Sequence, residues 1–154
     1  MFKNKLKITL AFFVAFTAEA YGSQWFQATP AMYMLRDTNE SGYILTLSIR
    51  ADTKNTRAAF IAANHHLCSI NPHGDKGEVG PYKVNGQFLK FTGVCMQSNL
   101  WIVPMTPQAD EFLLQAVRKS EVMTLEADLG ALITFNTSGV ADIDAVLERA
   151  KNAL

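Results

Sequence analysis

Asn85-Gly86 sits between two β-prone runs, Tyr82-Lys83-Val84 and Gln87-Phe88-Leu89-Lys90-Phe91. A two-residue Asn-Gly connection suits the two positive-φ positions of a type I′ hairpin turn. An antiparallel frame is the first expectation, and the neighbouring sequence agrees with it. Tyr43 to Ile49 alternates, with Tyr43, Leu45, Leu47 and Ile49 on one face and Ile44, Thr46 and Ser48 on the other. The turn formers Asp37 to Gly42 separate this run from Ala31 to Leu35, which predicts a second hairpin. Arg57 to Ala63 contains AAFIAA, a run that fits strand or helix by periodicity; its shortness and its neighbours favour strand. Asn71 to Glu78, rich in Gly and Pro, reads as the longest loop. The strand from Gln87 continues to Cys95, turns at Gln97-Ser98-Asn99 and returns as Leu100 to Val103.

Beyond Pro104 the pattern changes to helical. Thr106-Pro107 has the form of an N-cap and a first helical residue, Asp110 and Glu111 lie near the positive end of the dipole, and Arg118 and Lys119 lie near its negative end. Phe112, Leu113, Ala116 and Val117 supply an apolar stripe. Two strands follow, Glu121 to Glu126 and Ala131 to Phe135. A helix capped at Thr137 or Ser138 closes the chain, with Val140, Ile143, Val146, Leu147 and Ala150 on one side. The expectation is about eight strands and two helices: a mainly β, α+β domain resembling a sandwich, with its helices late in the chain.

The amino-terminal segment sets the compartment. Lys3, Lys5 and Lys7 form a cationic region, Ile8 to Thr17 an apolar run of about ten residues, and Ala18-Glu19-Ala20 a small-x-small cleavage site. The run is shorter than the ~20 residues a membrane span needs, so residues 1–20 read as an export signal cleaved after Ala20. Residues 21–154 read as a single periplasmic or secreted domain, large enough to bury a core. Losing three lysines and Glu19 from a balanced 14 and 14 leaves 11 basic and 13 acidic groups. No basic stripe suggests a nucleic-acid partner, and no further run approaches membrane length. In an oxidising compartment the two cysteines, Cys68 and Cys95, are expected to form a disulfide.

Catalytic signals are sparse. His65, His66, Cys68, His73 and Asp75 form the one grouping with ligand chemistry. His65 and His66 would face opposite ways on a strand, and a disulfide would remove Cys68 from metal binding. A site using His66, His73 and Asp75 remains an alternative to loop histidines beside a cystine. No HExxH, paired CxxC or GxSxG is present, and the helix dipole accounts for Asp110-Glu111 without acid-base chemistry. No catalytic or cofactor-binding residue is assigned. Met32, Met34, Met96, Met105 and Met123 suit either core filling or an adaptable partner surface. Trp25, Phe26, Tyr33 and Trp101 pose the same choice, with burial the ordinary expectation.

From Tyr82 to Leu147 the chain carries a hairpin (VNGQFLKFTGVC), a short helix (DEFLLQAVRKS), a strand pair and the ending ITFNTSGVADIDAVL. In these it resembles the invasion-associated locus B proteins, small exported bacterial proteins. The resemblance implies a periplasmic β-sandwich and transfers no functional residue. The function expected is an exported binding module acting through a protein surface on another exported or envelope protein. Two alternatives stand beside it: an inhibitor or immunity-type protein presenting the loop Asn71 to Gly80, and a metal-binding protein at His66 and His73. If those histidines only solvate a loop, replacing His65, His66 and His73 together should be harmless, as should deleting Asp75 to Glu78.

Overall fold

The computed structural model describes residues 24–50, 56–127 and 130–152. The leader assigned to residues 1–20 lies outside them. The described residues form nine strands and three helices: β1 Phe26–Thr29, β2 Met32–Arg36, β3 Tyr43–Ile49, β4 Arg57–Asn64, α1 His66–Ile70, β5 Gly74–Val84, β6 Gln87–Met96, β7 Asn99–Pro104, α2 Pro107–Lys119, β8 Val122–Glu126, β9 Leu132–Asn136 and α3 Val140–Lys151. All strand pairs are antiparallel. The fold is mainly β with α elements, as the sequence predicts, with one strand and one short helix more. The strands join into one sheet, in the order β1-β2-β3-β4-β7-β6-β5-β8-β9, rather than into two separate layers.

The ends of that sheet approach each other. In the β2–β3 connection, Thr38 N–H and its hydroxyl both donate to Thr134 O on β9, at 2.7 and 3.1 Å, and Asn39 Oδ1 accepts from Thr134 N–H at 3.1 Å. The sheet therefore curls around a core. Its inner face supplies Leu35, Leu45, Leu47, Ile61, Phe91, Ile102, Ile133 and Phe135, and α2 and α3 contribute Leu113, Val117 and Leu147. All are at most 1% exposed. Because same-face residues recur every second position along a strand, β3 buries Leu45, Leu47 and Ile49 here, as its alternation requires.

The turn chemistry is largely as expected. Asn85 and Gly86 take φ of 47° and 81°, the left-handed pair of the predicted hairpin. Thr106 caps α2, its hydroxyl accepting from Ala109 N–H at 3.1 Å, with Pro107 as the first helical residue. The cap of α3 differs. It is Gly139, at φ 80° and with no side-chain cap bond, because Thr137 and Ser138 are engaged elsewhere. The buried Thr137 hydroxyl donates to Ser120 O, and the Ser138 hydroxyl donates to Asn136 Oδ1 at 2.6 Å.

The stretch read as a loop, Asn71 to Gly80, mostly belongs to β5, which pairs with β6 from Gly74 onward. Register shifts between Asp75 and Gly77 and between Val79 and Tyr82 absorb the glycines and Pro81 that suggested irregular structure. Deleting Asp75 to Glu78 would therefore remove paired strand, not idle loop. Gly77, with φ 72°, is as left-handed as Gly86 at 81°, and neither has an atom within 4 Å of an added Cβ. The sequence alone would rank Gly86→Val as the more damaging change. The geometry instead gives Gly77→Val and Gly86→Val similar backbone strain, about 1–2 kcal/mol each. Chemical unfolding should show comparable drops in midpoint, and free tolerance at position 77 would refute this.

Asp37 organises the turn before β3. It is buried, and its carboxylate accepts from Ser41 N–H and the Ser41 hydroxyl, both at 2.7 Å, and from Tyr43 N–H at 3.2 Å. Burial pushes its pKa up, but the hydrogen bonds from Ser41, Tyr43 and Gly42 outweigh burial and hold it below the ordinary value. A depressed folded pKa stabilises the fold above the unfolded-chain value, and the contribution disappears as pH falls through the folded one. Asp37→Asn should thus lower the unfolding midpoint at neutral pH, and the gap to the parent should close below pH ~4. A gap unchanged down that acid range would contradict it.

Candidate functional site

The sequence-predicted residues separate into structural pieces. Cys68 on α1 and Cys95 on β6 are joined in a disulfide with Cα atoms 5.3 Å apart, and both are at most 1% exposed. The bond holds α1 against the interior of the sheet, so neither sulfur serves as a metal ligand. His65 ends the run after β4 and His66 begins α1. Their rings stack with centroids 4.8 Å apart instead of facing opposite ways, because the strand has already ended there. His73 precedes β5 as an exposed residue. Among the described residues no group of three or more His, Cys, Asp or Glu side chains is placed to hold a metal ion; the side chain of Asp75 lies outside them. The segment proposed for presentation to a target enzyme is the paired strand β5.

What the sequence analysis did not single out is the outer face of the sheet. On strands β5, β8 and β9 that face is mixed: Lys83 pairs with Glu126 at 2.9 Å and Thr124 lies opposite Thr134, while Val122 and Leu132 are exposed apolar neighbours. Across β2, β3, β4, β7 and β6 it carries an apolar strip set among polar residues such as Ser48 and Thr92. Register places Met34 opposite Thr46, Thr46 opposite Phe60, Ala62 opposite Trp101, and Trp101 opposite Val94. Phe60 and Trp101 stack with centroids 4.8 Å apart and planes at 22°. Phe60 and Ala62 are buried yet lie outside the core cluster, and Trp101, Val103, Met32 and Met34 are half-buried.

A groove of about 660 Å³ opens at one side of this region, lined by Met32, Phe60, Trp101, Val103 and Met105 and reaching Pro107 at the start of α2. The volume is within the ~300–1,000 Å³ of ordinary ligand clefts. Its edge carries the ion pair Arg50 Nη1 to Asp110 Oδ2 at 2.7 Å, so the rim is electrically closed and the floor apolar. Next to the groove, Thr46 is fully buried and its hydroxyl has no hydrogen-bond partner among the described residues. That is a cost a folded sheet normally avoids.

Two readings of side-chain use change accordingly. Of the five methionines weighed between core and surface, Met123 is in the core at 0% exposure, whereas Met96 and Met105 are exposed and Met32 lines the groove. Trp25 is buried in the core cluster, as expected, while Trp101 belongs to the outer face. The signal that could have found this face was AAFIAA in β4, since a run apolar at both alternate positions implies a strand apolar on both sides. Comparison of the chain with family models, with curated proteins and with solved structures finds no match.

Proposed function

We propose that this chain is an exported binding module that uses the apolar half of its outer sheet face to hold an apolar segment of another envelope protein. The observation that carries the reading is the groove floored by Phe60, Trp101, Val103 and the methionines, with the Phe60 and Trp101 rings stacked in it. An antiparallel sheet covered on one side by its core ordinarily turns polar residues outward, and contiguous outward apolar area marks interaction sites. Methionine and aromatic side chains suit such a surface, being adaptable and rich in contact area. Export is supported by the leader at residues 1–20 and by the Cys68–Cys95 disulfide. The resemblance to invasion-associated locus B proteins supports the same compartment.

The test places a charge in the groove at a position the fold tolerates. Met105 is 47% exposed and lines the groove, whereas Leu132 is 59% exposed on β9, away from the groove lining. Met105→Asp should keep the parental melting curve yet reduce co-purification of the envelope partner roughly tenfold or more, the effect of ~1.4 kcal/mol or more in binding. Leu132→Asp should leave it unchanged. Equal recovery with both variants would refute the assignment of this face.

A further inference from the structure

We propose that Asn85 is a chemical modification site whose reactivity the fold controls, and that its conversion to isoaspartate breaks the rung it forms with Thr124 between β5 and β8. Asn85-Gly86 is the single Asn-Gly pair in the sequence, and both residues are exposed. Glycine carries no side chain to crowd its own nitrogen, so this dipeptide allows the ring closure that most sequences hinder. The Gly86 backbone nitrogen attacks Asn85 Cγ, and its bond to Cγ forms as the Cγ–Nδ2 bond breaks. Ammonia leaves with the proton that the Gly86 nitrogen carried. Solvent water then opens the cyclic imide at either carbonyl, giving aspartate or, with the main chain rerouted through the side chain, isoaspartate.

In the folded protein the side-chain amide needed for that attack is engaged elsewhere. Asn85 Oδ1 accepts from Thr124 N–H at 2.8 Å, and Asn85 Nδ2 donates to the Ser120 hydroxyl at 3.4 Å. Asn85 N–H donates to Thr124 O at 3.0 Å. The side-chain amide thus stands in for a backbone carbonyl and adds one rung to the ladder between β5 and β8. The Thr124 hydroxyl also donates to Asn85 Oδ1, at 3.4 Å. Turning Cγ toward Gly86 breaks these three side-chain bonds, so reaction requires the turn to open first, and only the open fraction reacts. The rung matters because the register of β5 with β8 contains two further pairs, Lys83 with Glu126 and Val84 with Leu125. An isoaspartyl linkage adds a main-chain carbon inside the turn. It displaces both the Asn85 N–H and the carbonyl group that Thr124 N–H needs.

Mature protein is incubated in mildly alkaline buffer, folded in one sample and in denaturant in the other. Peptide mass spectrometry follows the amide-to-acid mass gain and isoaspartate at position 85. The folded protein should react roughly tenfold or more slowly, as an opening step implies. Isoaspartate-containing protein, returned to native conditions, should lose hydrogen-exchange protection at Thr124. Asn85→Asp, which keeps a side-chain oxygen acceptor and the ordinary backbone, should retain protection. Equal rates in the two samples would overturn the fold's control of the reaction. Preserved Thr124 protection in the isoaspartyl form would overturn loss of the rung, as would loss of protection in Asn85→Asp equal to that in the isoaspartyl form.

Discussion

Serine in place of both Cys68 and Cys95 should lower the melting temperature by about 10–20 °C. The bridge closes a sequence separation of 27 residues, and freeing such a loop in the unfolded chain costs about 3.5 kcal/mol in the chain-entropy model. For a domain of this size each ~1 kcal/mol moves the transition by roughly 3–6 °C. The effect should be at the upper end, since the bridge tethers α1 to β6, an interior strand, and both cysteines are at most 1% exposed. Two hydroxyls in their place would also need hydrogen-bond partners in an apolar setting. A calorimetric scan of the variant against the parent decides it. Melting curves that coincide would mean that the bridge contributes nothing to the fold.

Arg57→Met should cost about 2 kcal/mol, and the loss should concentrate in α3. At the start of β4 the Arg57 side chain is 6% exposed. It donates from Nε to Asp144 Oδ1 at 3.2 Å, and from Nη2 to Asp144 O at 3.3 Å and Glu148 Oε2 at 3.0 Å. Asp144 is also held by Arg118 of α2, at 2.6 and 3.0 Å. Two arginines from different elements thus converge on one carboxylate of α3. Breaking a fully buried pair costs about 3–5 kcal/mol; here the carboxylates remain partly exposed and Asp144 keeps Arg118, which reduces the figure. Hydrogen exchange should show the α3 amides losing protection before those of β3 and β4. Uniform loss across the sheet would contradict a local role for the network.

The sheet was legible where local chemistry and tertiary packing agree. The run Tyr43 to Ile49 has the bounds of β3, Asn85-Gly86 makes the hairpin, and Thr106-Pro107 starts α2. The Cys68–Cys95 bridge was legible from the even cysteine count and the oxidising compartment that the sequence leads one to expect. Reading failed where one residue type serves two purposes. Glycines 74, 77 and 80 resemble a loop, yet their positive φ angles fit irregular positions of a strand that β6 already pairs. Thr137 and Ser138 resemble a helix cap, but their hydroxyls bond to Ser120 and Asn136. The apolar outer face was hidden for a different reason. Apolar alternation shows that a strand has a buried side, whereas the side covered by the core depends on partner strands distant in sequence, such as β4 with β7.

The central claim, that the apolar half of the outer face is where a partner is held, is tested most directly by photo-crosslinking in intact cells. A photoreactive side chain is placed at position 105, beside the groove, or at position 132, on β9 outside the groove lining. The expected result is an adduct of one defined mass from position 105, lost on introducing a charge at Val103, with none from position 132. The same adducts from both positions, or an adduct from position 132 alone, would contradict the claim.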